Sequence, residues 1–180
     1  MLMANKTKRW TLAEVHSLPE DGNKYELIHG ELFVTPAPTY QHETILARLT
    51  RVLEPYVAAN DLGLIYHPRA VFRVRDQIEV EPDLMVRSTH PSSEPSWETA
   101  PLPILVVEVA SDTTRRRDRL QKRSVYMNAS IPDYWIIDGD TRSIRAIRPG
   151  EEDVVATDTL TWAPAGAAAP LAIEVARLFD

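Results

Sequence analysis

From Gln41 to Ala59 the apolar residues Ile45, Leu46, Leu49, Val52, Leu53, Tyr56 and Val57 recur at steps of three and four. That spacing predicts an amphipathic helix with one buried stripe, and Pro55 inside it is expected to kink or shorten the last turn. A second helix is predicted from Thr113 to Asn128, with Ser111 or Asp112 as its cap. Near the start, Thr11 and Glu14 form a capping-box pattern for a short helix between Trp10 and Leu18, which Pro19 stops. Tyr25 to Ile28 and Glu31 to Thr35 are β-prone runs on either side of His29-Gly30, the pattern of a hairpin with a two-residue turn. Leu64 to Tyr66, Ala70 to Arg75 and Asp83 to Arg87 read as short strands of a meander or mixed sheet. Ile104 to Val109 is almost unbroken in its apolarity, as a central strand covered on both faces would be. Tyr134 to Asp138 and Ser143 to Arg148 predict another hairpin around Gly139. Between Ser88 and Pro103, the prolines at 91, 95, 101 and 103 mark a long surface loop. Beyond Gly150 the pattern weakens: a strand within Val154 to Trp162, a small-residue loop to Pro170 and a short closing helix from Ile173 to Phe179 are expected.

A chain of 180 residues with 44% hydrophobic composition supports one full-sized core, so residues 1–180 are read as a single domain. It contains no cysteine, which excludes disulfides, thiolate metal sites and a cysteine nucleophile. No apolar run is long enough to span a bilayer and the first ten residues are polar and basic, so a soluble cytoplasmic protein is expected. The net charge of −6 does not advertise a polyanion binder. Local charge does: Arg115, Arg116, Arg117, Arg119, Lys122 and Arg123 crowd one stretch with a single acid, Asp118. Cations near a helix N-terminus cost roughly 0.3–1 kcal/mol each. Either they meet a phosphate backbone, or the stretch is an ordinary solvated helix face.

Glu108 is the informative oddity, a carboxylate closing the apolar run Ile104-Leu105-Val106-Val107. Burying it ionised costs several kcal/mol unless a proton, a basic group or a metal compensates. Asp83 poses the same question, standing between Pro82 and the apolar Leu84-Met85-Val86. If the two strands are antiparallel neighbours, the start of one lies beside the end of the other and the acids converge. Two converging carboxylates make a hard oxygen site for Mg2+ or Mn2+, and such a cation activates water against a phosphodiester. The competing reading has Asp83 capping a loop and Glu108 paired with an arginine. Asp118, Lys122 and Tyr126 are spaced by four, so they share a helix face. Lys122 then either reaches the site and steadies developing negative charge, or forms an exposed pair with Asp118 worth little. His42, at the start of the long helix, is a further candidate as ligand, base or phosphate donor, or a plain surface residue. Glu26 and Glu31 on the first hairpin are weaker candidates for another carboxylate.

Taken in order, Tyr25-Glu26-Leu27-Ile28-His29-Gly30-Glu31-Leu32, Pro82-Asp83-Leu84, Glu108-Val109 with Ser111, Asp118 with Lys122 and Tyr126, and Ile131-Pro132-Asp133-Tyr134-Trp135 resemble the Uma-type restriction endonuclease family of the PD-(D/E)XK superfamily. The resemblance runs from about Trp10 to Phe179. It implies a restriction-endonuclease-like α/β (α+β) fold, a mixed sheet flanked by helices, with a magnesium-type site. Asp83 then matches the first acid and Glu108 the second. Ala110 stands where the superfamily pattern has a lysine, and Lys122 is its candidate replacement. The expectation is a magnesium-dependent endonuclease acting on DNA, with Arg115 to Arg117 on the backbone and a homodimer supplying two sites for double-strand cleavage. The alternative is a nuclease-fold binding or assembly module without turnover. A carboxylate-pair glycosidase also uses two acids, but it gives no reason for the arginine-rich helix.

Overall fold

The computed structural model describes residues 8–89, 96–110 and 118–180. Local signals fix the first elements. Thr11 caps α1 (Leu12–His16), and the reciprocal bonds between Thr11 and Glu14 complete the capping box. β1 (Lys24–Ile28) and β2 (Glu31–Thr35) pair antiparallel. Their turn residues His29 and Gly30 have φ of 50° and 83°, the double positive φ that a tight hairpin turn following the strand twist requires. Pro36 and Pro38 end the pairing, and Thr39 then caps α2 (Tyr40–Ala59) by accepting from the His42 backbone N–H. Pro55 does not end this helix, which continues to Ala59.

The next strands are β3 (Leu64–Tyr66), β4 (Phe72–Val74), β5 (Ile78–Val80), β6 (Leu84–Arg87) and β7 (Pro103–Ala110). A π-helical turn, Asp118–Lys122, leads into α3 (Arg123–Asn128). β8 (Asp133–Asp138), β9 (Ser143–Ile147), β10 (Val154–Ala156), β11 (Thr159–Trp162) and β12 (Leu171–Glu174) follow, and a 3-10 turn, Val175–Leu178, comes last.

A six-stranded mixed sheet in the order β10-β9-β8-β7-β6-β3 forms the centre, beside a four-stranded sheet β2-β1-β5-β4 and the pair β11-β12. β7 runs antiparallel to β6 and parallel to β8. A parallel pair needs a crossover connection, and α3 lies on it. One face of the large sheet carries Leu84, Val86, Leu105, Val107 and Trp135 against the α2 stripe of Ile45, Leu46, Leu49, Leu53 and Val57. The other carries Met85, Val106, Tyr134 and Ile136 against Ile28, Phe72 and Val80 of the small sheet and Val125 and Tyr126 of α3. β7 is therefore buried on both sides, as its composition predicts. Asp133 ties down the C-terminal strands: Arg148 Nε donates to its Oδ1 at 2.7 Å and Trp162 Nε1 to its Oδ2 at 3.1 Å.

Several expectations change. The Ala70 to Arg75 run narrows to β4, which joins the small sheet rather than a meander with β3 and β6. β5 goes unpredicted because it is three residues long and carries Glu79 at its middle. Val154 to Trp162 divides into strands of two different sheets, and Leu171–Glu174 is extended before the closing turn, so Ile173 to Phe179 is not one helix. The predicted Thr113 helix begins outside the described residues, as do its caps Ser111 and Asp112, and its described first turn is π-helical. Among the described residues, no helix is long and apolar enough to cross a membrane.

Gly63, between α2 and β3, has φ +112°, and a Cβ there would lie 2.2 Å from the Arg87 carbonyl oxygen. Gly63→Ala is expected to lower the unfolding free energy by more than about 1 kcal/mol. The check is a lower urea midpoint at unchanged slope, with Gly150→Ala, whose Cβ meets nothing within 4 Å, as the milder comparison.

Candidate active site

Pro82 gives up no ladder bond immediately before β6, and the residue after it is Asp83. Leu84 pairs with Val107, so the antiparallel register brings Asp83 beside the Glu108 end of β7. The Val109 backbone N–H donates to Asp83 Oδ2 at 2.8 Å, which fixes the carboxylate across the two strands. Lys24 Nζ donates to Asp83 Oδ1 and to the Glu81 carbonyl, each at 2.9 Å. The His42 ring, placed by the first turn of α2, meets Asp83 Oδ2 through Nε2 at 3.0 Å. Burial pushes the Asp83 carboxyl up, but the Lys24 charge and the His42 hydrogen bond outweigh it and hold the group well below the usual carboxylate range. Burial likewise pulls the Lys24 ammonium down, and Asp83 with Glu108 and Glu26 more than reverses this. For the His42 imidazole, burial lowers the pKa and the bond to Asp83 raises it, with a net upward result. Asp83 is thus held as an anion by cations of its own chain.

Glu108 projects from β7 toward the small sheet and α3. Lys122 Nζ donates to its Oε1 at 2.6 Å, and the Tyr126 hydroxyl donates to the same oxygen at 2.8 Å. Residues four apart stack on one helix face, and the π turn ending at Lys122 delivers both groups to one carboxylate. Burial, then the Glu108 charge, push the Tyr126 hydroxyl well above its ordinary range, so it remains a donor. Lys122 Nζ also lies 2.8 Å from Glu26 Oε1, which in turn accepts from the Glu81 backbone N–H at 2.9 Å. Lys122 and Glu26 are wholly buried. Of the two arrangements open for Lys122, the exposed pair with Asp118 is excluded by that burial.

Asp83, Glu108, His42, Lys24 and Glu81 face one cavity of about 1040 Å³. The structure therefore gathers Asp83, Glu108, Lys122, Tyr126 and His42. It does not gather Glu31, which is exposed on β2 and accepts from Gln121 at 3.5 Å. Glu26, from the sequence only a weaker candidate beside Glu31, takes the buried place. Lys24 goes unpredicted, although Lys24 and Glu26 alternate on one strand and so share a face. Arg115, Arg116 and Arg117 lie outside the described residues.

Among the described residues no group of three or more histidine or acidic side chains is arranged to hold a metal ion. The donor set still suits a hard cation, because two carboxylates on paired strands open into the same cavity. An ionised carboxylate offers about four lone-pair positions, and Asp83 has three donors on it.

A mixed sheet flanked by helices, with paired acids at the adjoining ends of two central strands, is the architecture expected of a restriction-endonuclease-like fold. The profile of the Uma2 family, described as a putative restriction endonuclease, matches residues 12–176, and the chain belongs to that family. The fold is similar to the crystal structure of a putative nuclease belonging to DUF820 from Anabaena variabilis, with a TM-score of 0.78 and 21% sequence identity over 94% of this chain and 97% of that one. Comparison with curated proteins gives no match.

Lys122→Met leaves Glu108 and Glu26 buried without their shared cation, and is expected to cost about 3–5 kcal/mol of stability in urea unfolding. Combining it with Glu108→Gln should recover part of that loss, a coupling that a double-mutant cycle measures.

Proposed function

We propose that the protein is a magnesium- or manganese-dependent endonuclease that hydrolyses DNA phosphodiester bonds in the cavity at Asp83 and Glu108. The observation that carries this reading is the strand register that sets the two acids side by side at the cavity, with Lys122 bonded to Glu108. Asp83 and Glu108 are the residues that would hold the cation. Bound there, it would supply Lewis-acid activation of the phosphate and a more acidic water.

The chain's own groups account for the rest. Lys24 and His42 keep Asp83 ionised, and Tyr126 fixes the rotamer of Glu108 through its Oε1. Lys122 supplies positive charge beside Glu108, the duty that a lysine at position 110 performs in the superfamily pattern and that Ala110 cannot. Hydrolysis forms one phosphorus–oxygen bond to water and breaks one ester bond, and the departing alkoxide takes a proton. His42, whose imidazole pKa is lowered by burial and raised further by the bond to Asp83, is the titratable group beside Asp83 that could exchange that proton. Arg115, Arg116 and Arg117 are assigned to the phosphate backbone.

A binding module without turnover is favoured by one observation: Asp83 is already engaged by Lys24, His42 and the Val109 N–H. Cleavage of circular DNA, offered both as a single strand and as supercoiled duplex, separates the two. Cleavage of either form that requires Mg2+ or Mn2+ and falls at least 100-fold in both Asp83→Ala and Glu108→Ala is the expected result; DNA binding without cleavage supports the module instead. Replacing Arg115 to Arg117 with alanine is expected to weaken DNA binding and to flatten its salt dependence, read by fluorescence anisotropy across a salt series.

A further inference from the structure

We infer that the cavity takes a single unpaired nucleic-acid strand, with Tyr40 stacking against a base at its mouth, and that paired duplex does not reach the carboxylates. The inference rests on the nuclease reading above and adds the form of the substrate. Asp83 and Glu108 are only 4% and 2% exposed, yet both line the cavity, so a phosphodiester reaches them by entering it. At about 1040 Å³ the cavity stands just above the roughly 300–1,000 Å³ of pockets that hold small ligands. A double helix carries its phosphates on the outside of a cylinder too thick to be engulfed in this way. An unpaired strand can be threaded.

The walls point the same way. Pro36, Ala37, Pro38, Leu46, Ala47 and Pro68 form an apolar part of the lining that suits the flat faces of bases and sugars, while Lys24, His67 and Arg69 in the same cavity suit the phosphates between them. The two prolines stiffen the segment between β2 and α2, so the wall is formed before any ligand arrives. Tyr40 does not itself line the cavity, but it adjoins Thr39, which does, and at 89% exposed its ring is free to swing over the rim. An aromatic ring offered to solvent beside a nucleotide-sized cleft is a stacking platform that accepts any base. Stacking also tolerates the net charge of −6, which opposes binding that draws its strength from phosphates alone.

The test uses the whole protein and three labelled oligonucleotides of one sequence: a single strand, a blunt duplex, and a duplex with a single-stranded overhang. Affinity is read by anisotropy without divalent cations and cleavage is read separately with Mn2+. The single strand and the overhang are expected to bind at least 10-fold more tightly than the blunt duplex. Tyr40→Ala should weaken single-strand binding roughly 10-fold, with Tyr40→Phe close to the parent. Ala47→Trp, at an exposed helix position facing the cavity, should block single-strand binding without unfolding the chain. Equal or tighter binding of the blunt duplex, no binding to any of the three, or single-strand affinity indifferent to both Tyr40→Ala and Ala47→Trp would overturn the inference. Strand-selective binding without cleavage in Mn2+ upholds it and overturns the hydrolytic reading alone.

Discussion

One ammonium group holds the centre of this molecule. Lys122 is wholly buried, with Glu26 of the small sheet on one side and Glu108 of the large sheet on the other. Each of these ions is expensive to remove from water, and the expense is recovered only when all the partners arrive in good geometry. The group therefore joins two sheets and the crossover helix at a single point. It also determines what the cavity contains, because Glu108 is presented with one carboxylate oxygen bound by Lys122 and Tyr126.

Asp83 is governed by the same logic with different partners. Its cations come from the first strand and the first turn of the long helix, and its backbone donor comes from the neighbouring strand. Two acids a strand apart would otherwise raise each other's pKa. Lys24 and His42 on Asp83, and Lys122 on Glu108, set positive charge beside each acid at close quarters. A buried acid pair is a poor choice for stability alone, since well-packed apolar residues would serve as well or better.

Much of this was readable in the chain, for definite reasons. The long helix, the first hairpin, the central strand and the acids at the strand ends all follow from periodicity and from charges placed where apolar residues belong. What escaped was set by tertiary contact. Glu26 and Glu31 are indistinguishable as strand acids, and only the pairing of β1 with β5 and its packing beneath β7 and α3 decides that Glu26 is enclosed. Lys24 has the look of a solvent-facing strand end, and its partner lies 59 residues downstream. β5 has no period of its own, being buried by the strands on either side of it.

The side chains that meet around the two acids start at Lys24 and finish at Tyr126, drawn from two sheets and two helices. No fragment of the chain holds the set, and ribosome-bound chains that have yet to emit the crossover helix lack its lysine. Whatever the recess does is thus tied to completion of the fold, and a truncated chain cannot assemble it.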